Sequence, residues 1–278
     1  MTEQLLVLSR KSEEPLNLLK RGRLIPPFKN YQRYLVEKGA ILKEEEKAYL
    51  YKAKIDWVLW QARSFKTIKI VASDMDSTLI TIECVDEIAK KIGKDKEVER
   101  ITLKAMQGDL DFSQSLKERV ALLEGVKIKV IQEVLADSLH LSPGAETLMN
   151  MCQENGVAFL LLSGGFTLFT DFLQRYYPIS GTAANTLEIK DNTLTGRLLD
   201  PILDAQGKKE FLINYALKRG VNLENTLAVG DGANDIPMLK TAGTGYAYRA
   251  KPIVRQQADV CIDSVSYTHL RAHETSLH

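Results

Sequence analysis

Asp74-Met75-Asp76-Ser77-Thr78 sets two carboxylates two residues apart, directly behind the apolar run Ile68-Lys69-Ile70-Val71-Ala72. Such a pair can hold a hard cation and can divide nucleophile and acid/base roles between its members. An acidic pair in a loop is by itself ordinary solvated surface, so the chemistry depends on partners. The chain supplies them behind two further apolar runs. Val157–Leu162 leads into Ser163-Gly164-Gly165, and Thr226–Val229 leads into Gly230-Asp231-Gly232-Ala233-Asn234-Asp235. These add a hydroxyl, glycine-exposed N–H groups and two more carboxylates. Carboxylates that dense repel one another without a cation. Mg²⁺ suits them, because it is hard, oxygen-liganded and often held by few carboxylates plus substrate phosphate. Lys208 adds a point charge for phosphate. A carboxylate nucleophile, a cation, a hydroxyl and a lysine together form a phosphoryl-transfer set.

The elements that must position these residues can be read from pattern. The three apolar runs are short and read as buried strands. Strands alternating with helices predict an α/β fold, a Rossmann-like doubly wound parallel sheet covered on both faces. Ligands of such sheets bind at the carboxyl ends of the strands, where all three polar segments lie. Helix starts behind Asp76 and Gly164 are expected to turn N–H groups toward an anion. Helical patterns over 83–92, 96–107, 112–124 and 128–139, punctuated by Gly108 and Gly125, predict a small helical cap insertion. Ser142 is expected to N-cap the next helix, with Pro143 in its first turn. Asp191-Asn192 predicts a β-hairpin within 185–199. A helix over Lys208–Lys218, opened by Lys208, and a closing series follow: a helix, a strand near 245–248, a helix at 252–257 and a strand at 260–263.

Composition narrows the function classes. The chain has 278 residues, 45% of them hydrophobic and 26% charged, with a net charge of +1. That balance argues against nucleic-acid and membrane partners. No apolar run approaches the roughly 20 residues that span a bilayer. Met1–Ser9 lacks a basic n-region, so a cytoplasmic protein is expected. Cys84, Cys152 and Cys261 have no CxxC spacing and read as buried free thiols. None of His140, His269, His273 and His278 lies near a Ser or Cys nucleophile motif, which argues against a Ser-His-Asp hydrolase.

The ends differ from the middle. Residues 1–66 hold 14 Lys+Arg against 8 Asp+Glu, whereas the remainder holds 23 against 28. Leu50, Ala53, Trp57 and Trp60 fall at helical spacing, predicting an amphipathic helix within Lys43–Arg63 and a mostly helical N-terminal extension of unknown role. After Ser264 the sequence Tyr267–His278 has poor amphipathicity and sudden histidine enrichment. Residues 265–278 are therefore expected to be a non-native tail from cloning or adaptor sequence. The expected division is 1–66 extension, 67–82 and 142–264 catalytic core, and 83–141 cap.

In order and spacing, Asp74–Thr78, Ser163–Gly165, Lys208 and Gly230–Asp235 resemble the four motifs of the haloacid dehalogenase superfamily, over about residues 68–264. Glu83-Cys84-Val85-Asp86-Glu87 and Asp111-Phe112 through Arg119-Val120 are similar to its phosphoserine-hydrolysing branch. The resemblance implies Mg²⁺-dependent hydrolysis of O-phospho-L-serine to L-serine and phosphate, the last step of serine biosynthesis. Asp74 would be the nucleophile and Asp76 the acid/base. Asp74, the Asp76 main-chain carbonyl and Asp231 would hold Mg²⁺. Ser163, Gly164, Lys208 and Asn234 would contact phosphate or substrate, with Asp235 orienting Lys208 or a metal-bound water. Glu83 and Arg119 would read the amino and carboxylate groups of serine, against an apolar wall of Met106 and Phe112. Asp86 and Glu87 are expected to be surface or helix-pairing charges. Another phosphomonoesterase or a phosphotransferase of the same superfamily is the alternative. A receiver-type signalling domain is the rival from another class, disfavoured by the helical cap.

Overall fold

The computed structural model describes residues 4–8, 22–28, 31–37, 43–53, 55, 57–61 and 67–262. The extension departs from the helical expectation. Its described elements are β1 (Gln4–Leu8), β2 (Arg23–Phe28), β3 (Tyr31–Val36), α1 (Glu44–Lys52) and β4 (Trp57–Gln61). The helix ends at Lys52, and Trp57-Val58-Leu59-Trp60 is extended. A short apolar run fits either period, and this one is rich in aromatic and branched residues that favour a pleated surface. Pairing decides the outcome: β4 lies antiparallel between β1 (Leu8↔Trp57) and a core strand (Val260↔Val58).

The chain then forms β5 (Ile70–Ser73), a tight turn over Met75–Leu79, and the cap helices α2 (Cys84–Lys91), α3 (Asp95–Gln107), α4 (Phe112–Ala121) and α5 (Ile128–Asp137). After α6 (Ala145–Glu154) come β6 (Ala158–Phe166), α7 (Thr167–Tyr176), β7 (Gly181–Lys190), β8 (Thr193–Leu199) and α8 (Ala205–Lys218). The last elements are β9 (Thr226–Gly230), α9 (Ile236–Thr241), β10 (Thr244–Tyr248), α10 (Pro252–Arg255) and β11 (Val260–Ile262). The sheet order is β2-β3-β1-β4-β11-β10-β9-β5-β6-β7-β8. From β11 to β7 every pair is parallel, as the buried apolar runs require.

Alternation along these strands splits the core into two layers. Ile70, Ala72, Leu160, Leu162 and Ala228 pack with Leu212, Ala216, Met238 and Val254 of α8, α9 and α10. Val71, Phe159, Leu161 and Val229 pack with Leu148, Met149, Phe169 and Leu173 of α6 and α7, and the same cluster continues into the cap through Ile88, Val120 and Val134. Burying each of the Val, Leu, Ile, Phe and Met side chains among these stabilises the fold by about 1.5–3 kcal/mol. The cap therefore shares one core with the sheet. Its α4 opens with a capping box: Gln114 N–H donates to the Asp111 side chain at 2.8 Å, and Asp111 N–H to the Gln114 side chain at 3.0 Å.

The hairpin forms at Asp191-Asn192, both at positive φ (50° and 57°), the geometry of a type I′ turn. It bonds to the cap: Gly125 N–H reaches Leu194 O at 2.9 Å and Ile128 N–H reaches Asn192 O at 3.0 Å. Three local expectations are corrected. Ser142 does not cap α6; Gly144, in the left-handed region at φ 80°, holds that position. No helix starts directly behind Asp76. The chain makes a tight turn with Ser77 at φ 52°, and α2 begins only at Cys84. Helix α8 opens at Ala205, because the Asp204 side chain accepts from Gly207 N–H at 2.8 Å, which puts Lys208 one turn inside. Residues 265–278 lie outside the described residues.

Candidate active site

Strand β5 lies between β6 and β9, so the chain leaves it toward both sides and opens a crevice at its carboxyl end. Asp74 N–H donates to Val229 O at 2.9 Å, extending the ladder one residue beyond β5 and fixing Asp74 at the mouth of that crevice. Ser163–Gly165 stands at the end of β6, and Asp231 and Asp235 follow β9. The three polar segments read from the sequence do converge on one sheet edge.

The centre is an ion cluster. Lys208, with 0% exposure, donates to Asp74 Oδ1 at 2.6 Å and to Asp235 Oδ1 at 2.7 Å. Asp235 Oδ2 accepts from the N–H groups of Asp231 (3.1 Å) and Gly232 (3.0 Å). Asp235 thus holds the lysine and the following turn together. Burial alone would push Lys208 down, but the Asp235 and Asp74 carboxylates outweigh it and hold it above the ordinary lysine range. Burial and then the Asp235 charge push Asp74 well above the usual carboxylate range, against the pull of Lys208. Burial and Asp235 push Asp231 up to about 6, although the Thr78 hydroxyl donates to its Oδ1 at 2.8 Å.

Asp76 sits in a different setting. Its Oδ1 accepts from the Cys84 N–H at 2.7 Å, and its Oδ2 from the Ser163 hydroxyl at 3.1 Å. Ser163 Oγ itself accepts from Gly165 N–H at 2.8 Å. Helix α7 begins only at Thr167, so Ser163 stands outside its first turn. The pair read from the sequence is physically divided, one member beside a buried lysine and the other among neutral donors.

The cap reaches over this edge. The Phe112 ring lies on Gly164, where an added Cβ would meet Phe112 Cζ at 2.8 Å and Asn234 Nδ2 at 3.7 Å. Glu83 precedes α2 and accepts from the Ser77 hydroxyl at 2.7 Å. Although the residue reaches solvent, protein atoms crowd its carboxyl. This desolvation, followed by the Asp76 charge, pushes it up to about 7. Arg119 is half-buried on α4 and donates from Nε to Ser115 O at 3.3 Å. Burial raises Asp86, against the lowering pull of the Arg119 charge. Asp86 is exposed and Glu87 pairs with Lys90 at 3.7 Å, so the two are the surface and helix-pairing charges expected. The Met106 side chain lies outside the described residues.

The donor set fits a hard divalent cation. Asp74, Asp231 and Asp235 each offer a carboxylate oxygen within 4.8 Å of the others. Asp235 already binds Lys208 and two N–H groups, whereas Asp74 and Asp231 each keep one oxygen with no hydrogen bond among the described residues. Three carboxylates around one buried ammonium leave an excess of negative charge that a divalent cation balances.

Thr78 and Asn185 were not given roles by sequence reasoning. Thr78 lies within the first motif and could have been noticed as a hydroxyl near the carboxylates. Asn185 carries no such signal. Cys84, Cys152 and Cys261 are buried thiols, as expected, and Cys261 Sγ donates to Arg255 O at 3.6 Å. No helix among the described residues is long and apolar enough to cross a membrane.

Comparison with known proteins agrees with this geometry. Residues 68–243 match the haloacid dehalogenase-like hydrolase family. The phosphoserine phosphatase of Polaromonas sp. is 46% identical over 200 residues, spanning 70% of this chain and 85% of its own. A crystal structure of a haloacid dehalogenase family hydrolase from Salmonella enterica serovar Typhi superposes with a TM-score of 0.85 at 29% identity, covering 100% of both chains. A structure described as a phospho-aspartyl intermediate analogue of phosphoserine phosphatase gives a TM-score of 0.69 at 37% identity, covering 74% of this chain and 98% of its own. The chain belongs to the haloacid dehalogenase-like hydrolases, and it is a phosphoric monoester hydrolase.

Proposed function

We propose that this chain is a Mg²⁺-dependent phosphatase that hydrolyses O-phospho-L-serine to L-serine and phosphate, at the last step of serine biosynthesis in the cytoplasm. The observation that carries the reading is the division of the carboxylate pair. Asp74 lies 2.6 Å from the Lys208 ammonium, while Asp76 is held by Ser163 and the Cys84 N–H. The similarity to phosphoserine phosphatases over 70% of the chain supports the substrate.

In this reading an Asp74 oxygen attacks phosphorus as the bond to the seryl oxygen breaks, and Asp76 gives that oxygen its proton. Asp76, now a carboxylate, takes a proton from water as the water attacks the aspartyl phosphate and frees Asp74. Lys208, the Ser163 hydroxyl, the Gly164 N–H and Asn234 bind the phosphoryl oxygens and stabilise their developing charge. Asp74, Asp231 and the Asp76 carbonyl would hold the metal, which supplies charge neutralisation on the phosphoryl group. Asp235 keeps Lys208 in place. Glu83 pairs with the substrate ammonium and Arg119 with its carboxylate. Residues 83–141 act as a cap that excludes water during attack and opens to release serine, over a core of 67–82 and 142–264.

Phosphate release from phosphoserine, with Mg²⁺ and after chelation, tests the proposal. Turnover should require the metal, and Arg119→Ala should raise KM by about tenfold to a hundredfold, the loss of a charge-assisted hydrogen bond. Metal-independent turnover, or an Arg119→Ala variant with unchanged kinetics on phosphoserine, contradicts it.

A further inference from the structure

Strand β6 leaves its ladder with β7 where the chemistry is. Leu162 pairs with Ala183 and Phe166 with Asn185, so four steps along β6 match two along β7. The looped-out segment is Ser163–Gly165, whose backbone groups lose their regular strand partners there. The Asn185 side chain fills that gap. It is 1% exposed; its Nδ2 donates to Gly164 O at 2.9 Å and Leu203 O at 3.3 Å, and its Oδ1 accepts from Leu203 N–H at 2.7 Å. The partners fix the amide's orientation, since two carbonyls can only accept and an N–H can only donate.

These bonds lead to reacting groups in two directions. Gly164 O and Gly165 N–H belong to one planar peptide, so holding the carbonyl aims the N–H. That N–H donates to Ser163 Oγ, and Ser163 Oγ donates to Asp76 Oδ2. On the other side Leu203 adjoins Asp204, the N-cap of the helix that carries Lys208. We infer that Asn185 is a positioning residue: it sets the Gly164–Gly165 peptide, and through it Ser163 and Asp76, and ties that edge to the entry of the Lys208 helix. The inference rests on the phosphatase reading above.

A double-mutant cycle with phosphoserine as substrate tests it. Asn185→Leu should lower kcat by about tenfold or more, a loss of the size seen when a transition-state donor is disturbed, with KM within about threefold. In a Ser163→Ala background the same change should cost clearly less than in the wild type, because its route to Asp76 is already broken and only the tie to the Lys208 helix remains. Asn185→Asp keeps the shape and the oxygen that accepts from Leu203 N–H but loses the donor to Gly164 O and Leu203 O; it should show the same non-additivity and serves if the leucine variant does not fold. Additive losses, or an unchanged kcat, overturn the role of Asn185 while leaving the phosphatase intact. A wild-type enzyme idle on phosphoserine overturns the function itself.

Discussion

Phe112, the first residue of helix α4, lies over Gly164, close enough that a methyl on that glycine would stand 2.8 Å from the ring Cζ. The next glycine has a harder neighbour: a methyl at Gly165 would stand 2.6 Å from Asp76 Oδ2 and 3.0 Å from Ser163 Oγ. The two substitutions should therefore separate. Gly164→Ala pushes on the edge of a cap side chain and should chiefly raise KM. Gly165→Ala displaces Asp76, the proposed acid/base, and should lower kcat by about a hundredfold, as misplacement of reacting groups by about 1 Å does. Steady-state kinetics of both variants check this, and equal effects on the two parameters would count against the assignment.

Lys208 has no solvent to fall back on. Replacing it by Met strands the buried carboxylates of Asp74 and Asp235, which should destabilise the fold by about 3 kcal/mol, as removal of one buried partner does. Urea unfolding at neutral pH measures the loss, and activity should vanish in the fraction that stays folded. The pairing also has an alkaline limit. Because the folded-state value of Lys208 is raised, its contribution is complete below the unfolded lysine value and is lost only as pH climbs through the folded one.

Glu83 should impose a pH dependence on substrate capture. Its carboxyl, pushed up to about 7, is neutral below that pH and cannot pair with a substrate ammonium. The value of kcat/KM should accordingly fall as pH drops through about 7, and kcat should fall less, since the bound ammonium favours the charged form. The stability sign is opposite. The folded value lies above the unfolded one, so Glu83 favours folding more at low pH, with the change falling between about 4.3 and 7. Glu83→Gln should flatten both trends. A pH profile of kcat/KM that survives the substitution unchanged would assign it to another group.

The site was more legible than the frame around it. Asp74, Asp76, Ser163, Asp231 and Asp235 sit in short motifs behind apolar runs, where residue type and strand end coincide, so chemistry and topology point to the same edge. Lys208 illustrates the limit: its role could be read, but its place one turn inside α8 depends on Asp204 capping the helix. Trp57 and Trp60 show a harder limit. Their spacing suits a helix, and only pairing with β1 and β11 makes them a strand. Asn185 could not be read at all, because its work is done on backbone atoms of Gly164, 21 residues away, at a bulge that exists only once β6 and β7 have paired.

The central claim is that Asp74 takes the phosphoryl group. Rapid acid quenching during phosphoserine turnover, followed by peptide mass analysis, tests it directly. The wild-type enzyme should carry phosphate on the peptide containing Asp74, and Asp74→Asn should carry none and release no phosphate. Phosphate release by Asp74→Asn at a rate near wild type, or phosphate found on another residue, would contradict the account.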